Sequence, residues 1–254
     1  MSLEAFRIEG KNALVTGSRR GLGAAIALAL AQAGANVACH GREPKEASVC
    51  EEIRALGRRS VYLSGDVADT RTCAALVEKT VAGLGTIDIL VNNAGVIRRA
   101  PAAEYSAAYW DEVIAVDLTA VFRISQLAGQ QMLRQGKGGK IVSIASVLSF
   151  QGGVLVPAYA AAKGGVAQLT RALANEWAAK GINVNAIAPG YMVTDNTEAL
   201  RNDATRSRQI LERIPAGRWG EPADLAGAAV FLCSPASDYV HGHVLVVDGG
   251  WLAR

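Results

Sequence analysis

The chain predicts an α/β fold: a doubly wound, seven-stranded parallel sheet with helices on both faces, folded as one domain over residues 1–254. Three observations carry that prediction. Short β-branched runs alternate with alanine-rich stretches of helical spacing, the pattern of βαβ units. The runs are nearly continuous in apolar residues, as strands covered on both faces must be. No linker rich in proline, glycine or serine, no internal repeat and no low-complexity tract divides the sequence.

Taken in order, strands are expected at Asn12–Thr16, Asn36–His40, Ser60–Ser64, Ile87–Val91, Lys140–Ile144, Ile182–Ile187 and Val244–Val247. The first runs into a glycine-rich turn and then at once into a helix. Helical spacing fills the later intervals, where small side chains allow close packing on a sheet or on another subunit. The stretch 194–213 breaks the alternation. It is the most polar part of the chain and follows a strand end. Ligands of open α/β sheets bind beyond the carboxyl ends of strands, so an irregular, flexible substrate lid is expected there.

Composition excludes several classes. Half the residues are apolar and 19% are charged, which suits a large core and not a disordered chain. The net charge is only +3, and basic residues pair up only at Arg19–Arg20, Arg58–Arg59 and Arg98–Arg99. A nucleic-acid partner, which calls for a denser basic surface, is therefore not expected. The longest apolar candidate, Leu22 to Ala31, is too short to cross a bilayer. The start Met1-Ser2-Leu3-Glu4 lacks a basic region leading into an apolar stretch, so no secretory leader is expected. Cys39, Cys50, Cys73 and Cys233 are scattered, which points to a reducing cytoplasm. His241 and His243 have only Asp238 and Asp248 nearby, and no metal is expected.

Function enters at the turn Thr16-Gly17-Ser18-Arg19-Arg20-Gly21-Leu22-Gly23. Glycines permit positive φ and close backbone approach. The helix start that follows offers unpaired N–H groups and a partial positive charge to a phosphate. A strand, glycine turn and helix in that order can hold a dinucleotide pyrophosphate.

The spacing Gly-x-x-x-Gly-x-Gly is joined by further motifs in order. Asp66-Val67 follows the third strand, Asn92-Asn93-Ala94-Gly95 the fourth and Ser146 the fifth. Tyr159-Ala160-Ala161-Ala162-Lys163 opens the next helix, and Pro189-Gly190, with Thr194 beyond, follows the sixth strand. Over nearly its whole length the chain resembles the short-chain dehydrogenase/reductase family. The resemblance implies a Rossmann fold and a nicotinamide cofactor gripped by Gly17, Ser18, Arg19, Arg20, Gly21, Leu22 and Gly23. It implies adenine contacts from Asp66 and Val67, and further contacts from Asn93, Ala94, Gly95, Pro189, Gly190, Met192 and Thr194.

By the same resemblance Tyr159 is the general acid/base, Ser146 holds the substrate oxygen, and Lys163 bonds the nicotinamide ribose and lowers the tyrosine pKa. Bringing a phenol from ~10 to roughly 7 takes about 4 kcal/mol. A cation at ~4 Å under an effective dielectric of about 20 supplies about that much. Asp117, in Ala115-Val116-Asp117-Leu118, stands where the family commonly has an asparagine that helps hold a relay water. A backbone role survives that change, whereas a side-chain amide donor does not.

The second strand ends in Gly41-Arg42, with no acidic residue to select the ribose hydroxyls of NAD. Arg42 with Arg20 or Arg19 could fork onto a 2′-phosphate, so NADP is expected, with NAD possible. Val96-Ile97-Arg98-Arg99, Ser146 to Gly153 and Ile214 to Gly220 resemble a branch of the family that oxidises or reduces a secondary hydroxyl of a six-carbon sugar acid of the 2-deoxy- or 2-dehydro-3-deoxy-D-gluconate type. Gluconate 5-dehydrogenases are neighbours in that branch. Arg98 or Arg99 could pair with the acid's carboxylate, and Gln151 could bond a hydroxyl. The alternatives are another carbonyl reductase and a non-catalytic redox sensor. Resemblance also implies a homotetramer built through helices around Tyr109–Arg134 and Pro157–Ala179 and through the C-terminal strand.

Overall fold

A computed structural model describes residues 3–254; Met1 and Ser2, the start of the segment read for a leader, lie outside the described residues. In chain order the main elements are β1 (Asn12–Val15), α1 (Gly21–Gln32), β2 (Asn36–Gly41), α2 (Ser48–Ala55), β3 (Ser60–Ser64), α3 (Thr70–Leu84) and β4 (Ile89–Asn92). They continue with α4 (Ala107–Ile114), α5 (Ala120–Gln135), β5 (Gly139–Ile144), α6 (Pro157–Trp177) and β6 (Ile182–Pro189). The last are α7 (Glu198–Asn202), α8 (Ala204–Arg213), α9 (Ala226–Cys233) and β7 (Val244–Val247). The strands form one all-parallel sheet in the order β3-β2-β1-β4-β5-β6-β7.

The continuous apolar strands feed two cores at once. Ala13, Val15, Val37 and Cys39 pack with Ile26, Ala27 and Leu30 of α1 and with Ala229 and Leu232 of α9. Their neighbours Leu14 and Ala38 pack on the opposite face with Leu76 of α3 and Ile124 and Met132 of α5. Successive strand side chains point to opposite faces, so a strand sandwiched between helix layers has no polar face to spare. From β1 the order steps outward to β2 and β3 on one side and to β4 through β7 on the other. Connections leave in opposite directions at the β1–β4 boundary, and a crevice opens beyond the strand ends there.

Local contacts and backbone geometry set two further details. Ile87 bonds through both backbone groups to the Gln135 side chain, so the strand starts later, at Ile89. Between α4 and α5 the helix takes a π turn at Ala115–Thr119, which carries buried Asp117. Such π insertions re-aim side chains and recur at functional sites.

The stretch 194–213 is not irregular, which corrects the sequence expectation. Thr194 and Thr197 form a reciprocal capping box, and a short 3-10 turn leads into α7. Asp203 caps α8 by accepting from the Thr205 and Arg206 N–H groups. Ile210 of α8 is buried with Val147, Ile214 and Trp251. High polarity here reflects a helix with one apolar position facing inward and the rest in water.

Candidate active site

The glycine turn is shaped by close approach. Gly17 has φ +64, and a Cβ on it would lie 2.9 Å from the Ala94 Cα. A Cβ at Gly23 would run into the Gly17 carbonyl oxygen and the Asn93 amide. Asn93 in turn donates to the carbonyls of Thr16, 2.9 Å, and Gly17, 3.0 Å. The Thr16 hydroxyl oxygen accepts from the Asn93 and Ala94 N–H groups. The β4 end thus braces the β1 turn. Helix α1 begins without a side-chain cap, which leaves its first N–H groups for an anion.

A cleft of about 310 Å³ runs from this turn past Asp66 and Val67 to Tyr159 and Lys163. Gly21, Leu22, Gly23, Asn93, Ala94 and Gly95 line it as expected. Ser18 does not. It is fully buried, its N–H donates to the His40 carbonyl and its Oγ accepts from the His40 N–H, so its polar atoms are spent on β2. Arg19 is paired with Glu43 at 2.9 Å, and Arg20 with Asp195 at 2.8 Å. Arg42 is exposed and has no side-chain partner among the described residues. The uncapped helix start, the glycines and a free guanidinium beside Gly41 fit a phosphorylated nicotinamide dinucleotide.

At the inner end of the cleft Tyr159 and Lys163 lie one turn apart on α6, with the Lys163 Nζ 5.4 Å from the Tyr159 ring centre. Lys163 is buried. It donates to the Ile144 carbonyl at 2.9 Å and lies 3.2 Å from the Asp117 Oδ2. Asp117 Oδ1 accepts from the Val96 N–H at 2.8 Å. The Ser146 hydroxyl oxygen accepts from the Leu148 N–H at 3.1 Å.

The electrostatics correct the simple expectation of a phenol pulled down by one lysine. Burial raises Tyr159 above its ordinary value; the Lys163 ammonium and a Ser146 hydrogen bond oppose this, while the Asp117 carboxylate adds to it. Burial pulls Lys163 down, but Asp117 and Tyr159 outweigh it and hold the ammonium above its usual range. Asp117 is raised by burial against the opposing pull of Lys163 and the Val96 N–H. The Asp117 carboxylate is thus a counter-ion to the lysine, so the cation acts on the phenol only in part.

Beyond Tyr159 a second cavity of about 440 Å³ opens, sharing Leu22, Ile144, Tyr159, Thr194 and Asn196 with the first. Ser146, Pro189, Gly190 and Met192 line this side. Its walls are mostly apolar. Among the described residues its charged lining groups are Arg99 and Arg206, and no carboxylate lines it. Arg99 also donates to the Asn196 carbonyl at 2.9 Å, tying the loop after β4 to the segment before α7.

Two expected substrate contacts are not in this cavity. Arg98 is turned away, held by both carboxylate oxygens of Glu112 and stacked over the Tyr109 ring. Gln151 accepts from Arg213 on the surface. Neighbouring arginines on an extended loop point opposite ways, and Glu112 claimed the first. Sequence reading missed Tyr191, just after β6, and Asn196 and Arg206, which reach the cavity because the segment of α7 and α8 folds back over it. It also missed His40, whose buried ring lies at the outer end of the cleft; a histidine closing the strand beside a glycine turn was the available signal.

Comparison with known proteins agrees with this geometry. The family profile described as enoyl-(acyl carrier protein) reductase matches residues 17–252. The chain is similar to the 2-dehydro-3-deoxy-D-gluconate 5-dehydrogenases of Dickeya dadantii, 56% identical over 255 residues, and Escherichia coli, 55% identical over 255 residues, with all of each chain covered. A gluconate 5-dehydrogenase from Burkholderia cenocepacia, solved in complex with NADP and tartrate, superposes with a TM-score of 0.96 at 40% identity over 100% of both chains.

Proposed function

Since the chain belongs to the short-chain dehydrogenase/reductase family, we propose that it is an NADP-dependent oxidoreductase of a six-carbon sugar acid, of the 2-dehydro-3-deoxy-D-gluconate or 2-deoxy-D-gluconate type. The observation that carries the substrate class is the second cavity: two arginines, no carboxylate among the described residues, Ser146 in its wall and Tyr159 at its junction with the cofactor cleft. Such a lining favours a small anion with hydroxyl groups near the reacting carbon.

Each residue has one task in this reading. Tyr159 exchanges the proton of the substrate's hydroxyl oxygen, and Ser146 donates to that same oxygen and holds it. Lys163, anchored on the Ile144 carbonyl and Asp117, bonds the nicotinamide ribose and opposes the burial of the phenolate. The nicotinamide, when bound, supplies the hydride acceptor or donor. Arg99 and Arg206 pair with the substrate carboxylate, and the segment carrying α7 and α8 covers it as a lid. Arg42 pairs with the 2′-phosphate, and Gly41 leaves room for it.

Nicotinamide absorbance with a panel of 2-dehydro-3-deoxygluconate, 5-ketogluconate, gluconate and an acetoacetyl thioester tests the reading. Turnover of a sugar acid supports it; turnover of the thioester alone, or of nothing, refutes it. The same reading includes a cytoplasmic homotetramer. The unpaired buried cysteines and the exposed Tyr109 and Trp110 on α4 support it, and light scattering measures the assembly.

A further inference from the structure

His40, the penultimate residue of β2, is 1% exposed, yet the proton relay makes no use of it. Its Nδ1 lies 3.1 Å from the Gly17 N–H and its Nε2 lies 3.0 Å from the Gly65 carbonyl. Both partners are backbone groups of fixed polarity. An N–H can only donate, so Nδ1 accepts; a carbonyl can only accept, so Nε2 carries the hydrogen. The tautomer is therefore dictated by the fold. An imidazolium would aim a second N–H at that of Gly17 and lose the bond.

Those two partners belong to different walls of the cleft. Gly17 opens the glycine turn, and Gly65 immediately precedes Asp66 in the loop after β3. The backbone of His40 holds the same turn through Ser18, with one hydrogen bond in each direction, both 2.9 Å. Gly65 returns a bond to the Gly41 carbonyl at 3.1 Å. No other side chain among the described residues bonds both loops. The pyrophosphate turn and the adenine edge are thus joined by this one side chain as well as by the β2 backbone.

We propose that His40, as the neutral Nε2–H imidazole, is the positioning residue that fixes the glycine turn against the Asp66 loop, and that dinucleotide affinity falls when the ring is protonated or removed. This rests on the reading of the cleft as a dinucleotide site. Burial holds His40 below its ordinary value of 6.5, against the Gly65 carbonyl and the Asp66 carboxylate. The other charged or titratable groups around it are Arg19 from the glycine turn, Tyr62 of β3, and Arg42 and Glu43 beyond its own strand. Loss of affinity accordingly sets in below the ordinary histidine range, as pH falls.

The test is direct binding by nucleotide fluorescence, with NADPH and NADH, at pH about 8 and about 5.5. NADH is included because its pyrophosphate does not titrate there, whereas a 2′-phosphate does. At the higher pH, His40→Phe, which loses both ring hydrogen bonds, is expected to weaken both nucleotides about ten-fold, with kcat at saturating nucleotide within about two-fold. His40→Asn, whose Oδ1 takes the place of Nδ1 but whose amide stops short of the Gly65 carbonyl, is expected to recover part of the affinity and to bind NADH equally at both pH values. The wild-type chain is expected to weaken toward NADH at the lower pH. Tight binding by His40→Phe, no recovery in His40→Asn, or a flat wild-type NADH profile overturns the proposal. A wild-type chain that binds neither nucleotide overturns the cofactor reading, and this proposal with it. Thermal melts of both variants separate lost positioning from lost folding.

Discussion

The two cavities that meet at Tyr159 are built in different ways. The cofactor cleft is made of backbone: glycines that permit contact, an uncapped helix start, and braces from Thr16, Asn93 and His40 that keep one loop on the next. The substrate cavity is made of side chains from separate parts of the chain, Arg99 after β4, Ser146 after β5, Tyr191 after β6 and Arg206 on α8. A backbone site tolerates little change in shape and reads the part of the ligand that never varies. A side-chain site can be re-specified one residue at a time while the chemistry at Tyr159 stays in place.

The largest expected effect lies where the cavities join. Tyr159→Phe should lower kcat by about 10³-fold, within the range of general acid–base catalysis, while fluorescence titration still shows nucleotide binding. Full turnover in that variant would remove the phenol from the reaction. On the substrate side, Arg99→Met should raise KM for the sugar acid by about 10- to 100-fold, the cost of a charge-assisted hydrogen bond, and leave nucleotide affinity alone. Arg98→Met, which removes the Glu112 pair and the stack on Tyr109 outside the cavity, should leave that KM unchanged. The reverse ranking would show that the two arginines exchange places on binding.

On the cofactor side, Arg42→Ala should cut the preference for NADP over NAD by about ten-fold, as expected for one guanidinium–phosphate contact. Ratios of kcat/KM for the two nucleotides measure this. An unchanged ratio would hand the 2′-phosphate to Arg19, in competition with Glu43. The smallest effect tests the counter-ion. Asp117 raises Tyr159, so Asp117→Asn removes one upward influence and leaves the Lys163 ammonium less opposed. The phenol then ionises at lower pH, and the acid limb of alcohol oxidation should move to lower pH. A stationary limb would mean that the carboxylate does not reach the phenol.

The same contrast governs what could be read in advance. Motifs at the cofactor end are short and contiguous, because turns and helix starts are decided by residues next to one another. Tyr159 and Lys163 share one helical turn, so their proximity followed from spacing alone. Arg98 and Arg99 are adjacent as well, but an extended loop sends them apart, and only the position of Glu112 on α4 decides which of them faces the cavity. Polarity hid the helices of 194–213, since one buried Ile210 anchors α8 and the rest of its surface is wet.

The sequence by itself determined the alternating strands and helices, the two-faced apolar cores, the phosphate turn and the shared face of Tyr159 and Lys163, because each depends on local spacing or burial on both faces; Ser146 joined that pair through the family resemblance. Only the tertiary structure decided that Arg99 and Arg206 converge without a carboxylate, that Asp117 neutralises Lys163, and that His40 spans two loops. Those relations join residues far apart in the chain. Their energies depend on distance and burial, which exist only after the strands have taken their places in the sheet.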